Sequence, residues 1–207
     1  MYYNGYVDTP AQRFGILPGA FNPPTVAHLA LAEAALKTVD RVIFVLPETF
    51  PHKDYSGVSF QTRFDLLRKV TAHEARFQAE STKGGLLIEI ARELRSRLPQ
   101  RAQLEFLCGR DAAERIVNWP YETPDTFLEM LREFGLLVAP RAGDYIVPER
   151  YRHRIATVPL APEYQAMSAT EVRRSIRQGS SWRHLVPAAI QDSVACLYGS
   201  GAPEESL

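Results

Sequence analysis

The 207-residue sequence has few cysteines and no excess of either charge, and these absences exclude several classes of protein. Its two cysteines, Cys108 and Cys196, are too few for a disulfide framework or a zinc cluster. Lysine plus arginine equals aspartate plus glutamate, at 24 each, so bulk binding of nucleic acid is not expected. With 45% hydrophobic and 23% charged residues, the composition is that of an ordinary globular domain.

Long apolar runs and the two commonest phosphate-binding motifs are also absent. No apolar run approaches the roughly 18–20 residues that a membrane span requires. The N-terminal stretch lacks the basic start and apolar core of a secretory signal. Neither G-x-x-x-x-G-K-[ST] nor G-x-G-x-x-G occurs. We therefore expect a cytoplasmic protein that has neither a membrane nor a nucleic acid as its partner.

What the sequence does contain is a regular alternation of apolar strands and helical segments. Continuous apolar runs predict strands at 13–17, 41–46, 103–109, 135–140 and 153–160. Helices are predicted at 26–37, 59–75, 84–98, 126–134, 169–178 and 188–198. This pattern favours an α/β fold, a doubly wound parallel sheet with helices on both faces. The predicted divisions are an N-terminal extension (1–12), one domain (13–198) and a disordered tail (199–207).

The stretch GAFNPPTVAH, residues 19–28, follows the first predicted strand, where parallel sheets bind their ligands. Gly19 permits backbone angles that a side chain would not, and the prolines prevent a helix before Thr25. Thr25 and His28 are three residues apart, so on a helix they share a face and could jointly hold phosphate oxygens. The alternative is a proline-rich turn in which Thr25 caps the helix and the backbone satisfies the histidine.

A second polar cluster, MSATEVRRSIRQG, occupies residues 167–179. Ser168 opens an S-x-x-E capping box, which predicts a helix start and by itself explains the serine. Ser168, Thr170 and Arg173 would also gather hydroxyls, free N–H groups and a guanidinium at one helix N-terminus, which attracts anions. Arg174 and Arg177 are expected to belong to a solvated face.

Together, the two stretches resemble the signatures of the nucleotidyltransferase superfamily. The first is similar to the (H/T)-x-x-H motif and the second to the I-S-S-T-x-x-R motif, in that order. The chain most resembles the nicotinamide or nicotinate mononucleotide adenylyltransferases, from about residue 13 to residue 198. The segments PHK at 51–53 and LCGRD at 107–111 fall where that family has similar ones. The resemblance implies a Rossmann-like domain of the nucleotidyltransferase type.

The resemblance also implies a reaction, the transfer of AMP from ATP to a pyridine mononucleotide with release of pyrophosphate, in NAD biosynthesis. Such chemistry needs positioning and charge neutralisation rather than a covalent enzyme intermediate. Mg²⁺ would arrive with ATP, and no metal site on the protein is expected. ATP and the mononucleotide are the expected partners, and assembly into a homo-oligomer is left open.

The resemblance implies a role for each residue of this chain that matches the family's motifs. Thr25 and His28 would contact the triphosphate and stabilise charge at the α-phosphate, with Arg173 as the third catalytic residue. Gly19, Ala20 and Phe21 are expected to contact ATP through their backbone. Ser168 and Thr170 would bind its β and γ phosphates, and Asp111 would bind its ribose.

Two further residues are assigned to the acceptor. Lys53 would anchor the phosphate of the mononucleotide, and Trp119 would stack on the pyridine ring. Each has a plain structural alternative: Lys53 as a solvated loop residue and Trp119 as a half-buried core aromatic. Asp111 has one as well, as the cap of a helix starting near Ala112.

Several residues depart from the family pattern. Pro18 replaces a glycine and removes a backbone donor, and Arg110 replaces an alanine, where it could obstruct the site or add an anion contact. Leu87 and Ile90 stand near the threonines of bacterial nicotinate enzymes, and apolar side chains offer a nicotinate carboxylate nothing. Two alternatives therefore stay open. One is transfer to another phosphorylated acceptor, such as phosphopantetheine or a sugar phosphate, and the other is a nucleotide-binding module without turnover.

Overall fold

The computed structural model describes residues 11–50, 57–123, 125–141 and 143–199. Apart from residues 11 and 12, the predicted N-terminal extension lies outside these ranges. So do Lys53, predicted to anchor the acceptor, and the predicted tail, apart from Gly199.

One parallel sheet runs through the described part of the chain. Its strands are β1 (Arg13–Pro18), β2 (Arg41–Pro47), β3 (Phe77–Thr82), β4 (Gln103–Gly109), β5 (Gly135–Ala139) and β6 (Ile155–Thr157). Their order is β3-β2-β1-β4-β5-β6, and all neighbouring strands pair in parallel. The order reverses between β1 and β4, so a crevice opens beyond the carboxyl ends of these two strands. The predicted doubly wound arrangement is confirmed.

Helices connect the strands and close the domain. They are α1 (Val26–Ala35), α2 (Phe60–Thr71), α3 (Leu87–Arg95), α4 (Arg110–Val117), α5 (Thr126–Glu133), α6 (Pro162–Gln165), α7 (Ala169–Arg177) and α8 (Gln191–Gly199). Within the described ranges, none combines the length and the apolar character that crossing a bilayer requires.

The side chains of the central strands alternate between two helical layers. In β2, Ile43 and Val45 pack into the apolar cluster of α3, α4 and α5. Val42, Phe44 and Leu46 pack instead into the cluster of α1 and α2. All five are essentially inaccessible to solvent, and burying each contributes roughly 1.5–3 kcal/mol. Because both faces are covered, these strands are continuous apolar runs in the sequence.

A third apolar cluster attaches the last helices to the rest of the domain. Leu66 of α2 packs there with Val172 of α7, with Val194 of α8 and with Ile190, which directly precedes α8. This contact fixes α7 beside the sheet, with its N-terminus near the carboxyl ends of the strands.

The structure differs from the predicted elements mainly at the two sheet edges. Strand β3 was not predicted, because only its ends, Phe77 and Thr82, are buried and its sequence is largely polar. The strand predicted at 153–160 is reduced to Ile155–Thr157. Beyond it the chain contains Pro159, which has no N–H to donate to a ladder. The predicted helix at 84–98 begins only at Leu87, after two glycines.

Candidate active site

The loop that follows β1 has a constrained backbone. Phe21 adopts a left-handed conformation, with φ of 46°, and the peptide bond between Asn22 and Pro23 is cis. The amide of Gly19 donates to the carbonyl of Val45 at 3.0 Å, so the sheet uses this donor. A Cβ atom at Gly19 would lie 3.1 Å from the ring of Phe21, so the absence of a side chain at this position leaves room for the ring.

His28 is held in one tautomer by the residue that caps its helix. Thr25 is fully buried at the N-cap of α1, and its amide donates to Nδ1 of His28 at 3.0 Å. The Thr25 hydroxyl lies 2.7 Å from the same nitrogen. Because an amide N–H can only donate, Nδ1 is an acceptor and the neutral ring carries its proton on Nε2. The edge of the Phe21 ring packs against the imidazole, with centroids 5.1 Å apart.

The electrostatic setting of His28 keeps it neutral. Burial lowers the pKa of His28 to about 4, and the positive charge of Arg141 contributes in the same direction. At pH 7 the ring is therefore an uncharged hydrogen-bond donor through Nε2.

The second polar cluster reaches the same loop through Arg173. Ser168 caps α7, because its hydroxyl accepts from the amide of Glu171 at 3.1 Å. The Arg173 guanidinium donates through Nη1 to the carbonyl of Asn22 at 2.7 Å and through Nη2 to the Thr170 hydroxyl at 3.4 Å. The two stretches singled out in the sequence are thus joined by a direct hydrogen bond.

Two buried side chains that the sequence did not single out hold this loop. The Tyr198 hydroxyl, from α8, donates to Oδ1 of Asn22 at 2.6 Å, and this tyrosine is 7% exposed. Arg63, from α2, is 5% exposed and donates through Nη1 to the carbonyl of Ala20 at 2.7 Å. Neither lies in a recognisable motif. In the sequence, Arg63 looks like a polar residue on the exposed face of a helix, and Tyr198 like a residue at the end of one.

A cavity of about 1740 Å³ opens where these segments meet. It exceeds the roughly 300–1,000 Å³ of a typical small-molecule pocket, so it can hold more than one nucleotide-sized group. The predicted residues that line it are Ala20, Phe21, Thr25, His28, Ser168, Thr170 and Arg173. The fully charged residues of its lining are Arg141, Arg173 and Arg177, which makes the described walls basic and suited to a polyanion.

A second cavity, of about 830 Å³, adjoins the first along Gly109, Ala112 and Arg141. Asp111 and Trp119 both line it. Asp111 is not a helix cap, because α4 already begins at Arg110, with Gly109 as its N-cap. Trp119 is 48% exposed, so it is half-buried, and its alternative reading stays open beside the predicted role.

The residues that depart from the family pattern fall in different places. Arg110 lines neither cavity, since its Nε lies 3.4 Å from Oε1 of Glu114, along helix α4. It therefore does not obstruct the site. Pro18 and Leu87 line the larger cavity, whereas Ile90 is buried in the core. Among the predicted site residues, Gly19 lines neither cavity.

Three arginines that line the cavities were not predicted to belong to the site, namely Arg115, Arg141 and Arg177. Arg141 lies two residues after the end of β5 and lines both cavities, and its Nε lies 3.6 Å from Oδ2 of Asp111. Its position at the carboxyl end of a parallel strand was the signal that could have identified it. Arg177, one turn beyond Arg173 on α7, lines the larger cavity instead of forming only a solvated face.

The described side chains include no group of three histidines, cysteines, aspartates or glutamates placed to hold a metal ion. Cys108 lines the larger cavity, and burial raises the pKa of its thiol to about 12. The thiol is therefore not poised to act as a nucleophile.

Comparisons with known proteins agree on one family. The family model described as cytidylyltransferase-like matches residues 16–175. A protein of Citrifermentans bemidjiense is 32% identical over 205 residues, covering 86% of this chain and 94% of its own length. One of Thermus thermophilus is 30% identical over 186 residues, with coverage of 86% and 94%. Both carry the name "probable nicotinate-nucleotide adenylyltransferase".

The fold is also similar to that of a solved structure. The Plasmodium falciparum nicotinic acid mononucleotide adenylyltransferase, complexed with NaAD, superposes with a TM-score of 0.69. The match covers 89% of this chain and 95% of the other, at 12% sequence identity. At this identity the match establishes the shared architecture.

Proposed function

The chain belongs to the cytidylyltransferase-like family, and on this premise we propose that it transfers the AMP part of ATP to a pyridine mononucleotide and releases pyrophosphate. It is a nucleotidyltransferase of NAD biosynthesis, which agrees with the names of relatives at 30% and 32% identity. The observation that carries the assignment is the hydrogen bond from Arg173 to the carbonyl of Asn22. It joins both signature segments at the edge of one basic cavity.

In the proposed reaction an oxygen of the acceptor's phosphate attacks the α-phosphorus of ATP. The bond from that phosphorus to the bridging oxygen of the β-phosphate breaks, and pyrophosphate leaves. Negative charge builds on the α-phosphate oxygens during this exchange, so the protein accelerates it by placing donors and cations there. A covalent enzyme intermediate has no role.

His28 is the donor assigned to the α-phosphate. Its neutral ring presents Nε2–H, because the Thr25 amide occupies Nδ1 and the lowered pKa, about 4, removes the second proton at neutral pH. A fixed donor needs no reorganisation when charge develops, which is the condition for stabilising the transition state more than the ground state.

The N-terminus of α7 is assigned to the β and γ phosphates. Ser168 and Thr170 add hydroxyls to the free N–H groups of the first turn, and Arg173 adds a guanidinium. Hydrogen bonds to charged groups are worth about 1.5–3 kcal/mol each, so Arg173 is expected to dominate the affinity for ATP.

Mg²⁺ is proposed to enter as Mg·ATP, a substrate. The charged side chains that line the larger cavity are cationic, and the described residues hold no carboxylate cluster for a resident ion. Triphosphate oxygens and water are the hard ligands that Mg²⁺ prefers.

The acceptor's nucleoside is assigned to the smaller cavity, where Trp119, which is 48% exposed, supplies an aromatic ring that can stack with the pyridine ring. Asp111 lies on the same lining and remains assigned to the ribose of ATP, because the smaller cavity adjoins the larger one along Gly109 and Ala112. Lys53 remains a proposed anchor for the acceptor's phosphate, outside the described residues.

The test is turnover with Mg·ATP and each candidate acceptor, with pyrophosphate and dinucleotide both measured. Dinucleotide from a pyridine mononucleotide supports the proposal. If pyrophosphate is released only with phosphopantetheine or a sugar phosphate, the chain uses another acceptor. If ATP binds without any turnover, the chain is a binding module.

His28→Ala is expected to lower kcat about 10²–10³-fold, the usual loss when a charge-stabilising donor is removed. Undiminished turnover in that variant would remove His28 from the mechanism.

A further inference from the structure

The smaller cavity contains a cation that the proposed reaction has not yet used. Arg115 lies one turn after Asp111 on α4, and both line this cavity together with Trp119. Nothing in the signature motifs points to Arg115, because helix α4 carries no phosphate-binding pattern.

The acidic side chains beside Arg115 are already balanced by other arginines. Nε of Arg110 lies 3.4 Å from Oε1 of Glu114 and 3.9 Å from Oδ1 of Asp111. Nε of Arg141 lies 3.6 Å from Oδ2 of Asp111. The carboxylates of Asp111 and Glu114 are thus neutralised by two other guanidiniums. The positive charge of Arg115 is left over.

Arg115 itself is uncommitted. Its guanidinium makes neither an ion pair nor a hydrogen bond with any other residue that the structure describes. A guanidinium presents a planar fork of N–H donors, which matches a carboxylate in bidentate fashion. An unneutralised fork on the wall of a cavity is therefore suited to an anionic group of the ligand.

The two cavities share Gly109, Ala112 and Arg141, and the guanidinium of Arg141 on this wall already lies beside the carboxylate of Asp111. Leu87, Phe106, Cys108 and Ile116 line the larger cavity on the side of α3 and α4, and none of them can donate to a carboxylate at neutral pH with useful strength. A carboxylate buried against them would lose its hydration without compensation. An acidic ring is thus better accommodated with its carboxylate at the smaller cavity.

Resting on the proposed function, we propose that Arg115 binds the carboxylate of the acceptor's pyridine ring and selects nicotinate mononucleotide over nicotinamide mononucleotide. The ring lies against Trp119, and its carboxylate meets the Arg115 fork. A neutral carboxamide at the same position accepts hydrogen bonds but gains no ion pair, so it binds less tightly.

The experiment measures kcat/KM for both mononucleotides at fixed Mg·ATP in the wild type, Arg115→Gln and Arg115→Lys. The wild type is expected to prefer the nicotinate form. In Arg115→Gln, kcat/KM for nicotinate mononucleotide should fall about tenfold, the size of one charged hydrogen bond, while the nicotinamide value stays near that of the wild type. Arg115→Lys should keep part of the preference, because it retains the charge and loses the fork.

The control is Arg132→Gln, which removes an exposed arginine of α5 that lines neither cavity and should leave the ratio of the two kcat/KM values unchanged. A ratio that stays the same in Arg115→Gln, or a wild type that prefers nicotinamide mononucleotide, would overturn the assignment of Arg115 and leave the adenylyltransferase activity standing. A wild type that uses neither mononucleotide would overturn the proposed function, and the role of Arg115 with it.

Discussion

The imidazole of His28 owes its tautomer and its charge to two different neighbours. The amide of Thr25 fixes Nδ1 as an acceptor, and burial together with the charge of Arg141 disfavours protonation. The same histidine on an exposed helix would titrate near pH 6.5 and would exchange tautomers freely. Its suitability as a neutral donor therefore comes from the surrounding residues.

The lowered pKa of His28 makes the stability of the protein depend on pH. The unfolded chain binds this proton with a pKa of 6.5 and the folded chain with a pKa of about 4. Between these two values the unfolded state holds more protons, so the free energy of unfolding falls as pH decreases through this window. Urea denaturation at pH 7 and pH 5 should therefore show a smaller loss of stability in His28→Gln than in the wild type.

The matched control for this measurement is His153→Gln, which removes an exposed histidine outside both cavities. It should lose as much stability as the wild type between the two pH values. An equal loss in His28→Gln would show that another group causes the pH dependence.

Helix α8 acts on the site although it lines neither cavity. Its Tyr198 binds the side chain of Asn22, whose carbonyl accepts from Arg173. The helix is anchored by Val194 in the cluster that also contains Val172 of α7. The last helix thus supports both partners of the hydrogen bond that joins the two signature segments.

Removing the hydroxyl of Tyr198 should therefore weaken the site. In Tyr198→Phe, Oδ1 of Asn22 loses a buried donor, which costs about 1–3 kcal/mol, part of it in the free energy of unfolding and part in ATP binding. We expect a higher KM for ATP, with a smaller change in kcat. Steady-state kinetics and urea denaturation measure the two parts separately.

Tyr145→Phe provides the comparison, because the Tyr145 hydroxyl is buried without a hydrogen-bond partner among the described residues. Its removal should leave the KM for ATP unchanged. An unchanged KM in Tyr198→Phe as well would mean that α8 contributes only to packing.

Across the whole molecule, the site is assembled at one edge of one sheet. The loop after β1, the start of α4, the segment after β5 and the start of α7 all line the two cavities. The reversal of strand order between β1 and β4 opens the space between them. Because these segments are far apart in the sequence, ligand binding is expected to stabilise the folded domain as a unit.

A thermal shift with Mg·ATP tests this coupling. At a ligand concentration of 100 times Kd, binding adds about 2.7 kcal/mol to the stability of the folded state, which raises Tm. Arg173→Ala should lose much of this shift, because one charged hydrogen bond of about 1.5–3 kcal/mol to the phosphates is removed.

Arg174→Ala is the matched variant on the same helix, since Arg174 is exposed and paired with Glu171. It should show the full shift with Mg·ATP. If Arg173→Ala also keeps the full shift, Arg173 is not a phosphate ligand.

Two features could be predicted from the sequence because they depend on local pattern. They are the alternation of apolar strands with helices and the two signature segments. Buried parallel strands must be continuously apolar, and the capping of α7 by Ser168 needs only adjacent residues. The predictions for the central strands β2 and β4 agree with the structure within one residue. The resemblance likewise predicted Thr25, His28 and Arg173 as site residues, and the structure places all three on the wall of one cavity.

Tertiary structure alone decided which side chains surround those motifs. Among the described strands, edge strand β3 pairs with β2 alone and its middle residues are partly exposed, so its sequence carries no apolar run. Arg63, Tyr198 and Arg115 come from helices whose sequences contain no site pattern, and only packing brings them to the loop or the cavities. The charge state of His28 could not be predicted from the sequence either, because its pKa depends on burial and on Arg141, which is distant along the chain.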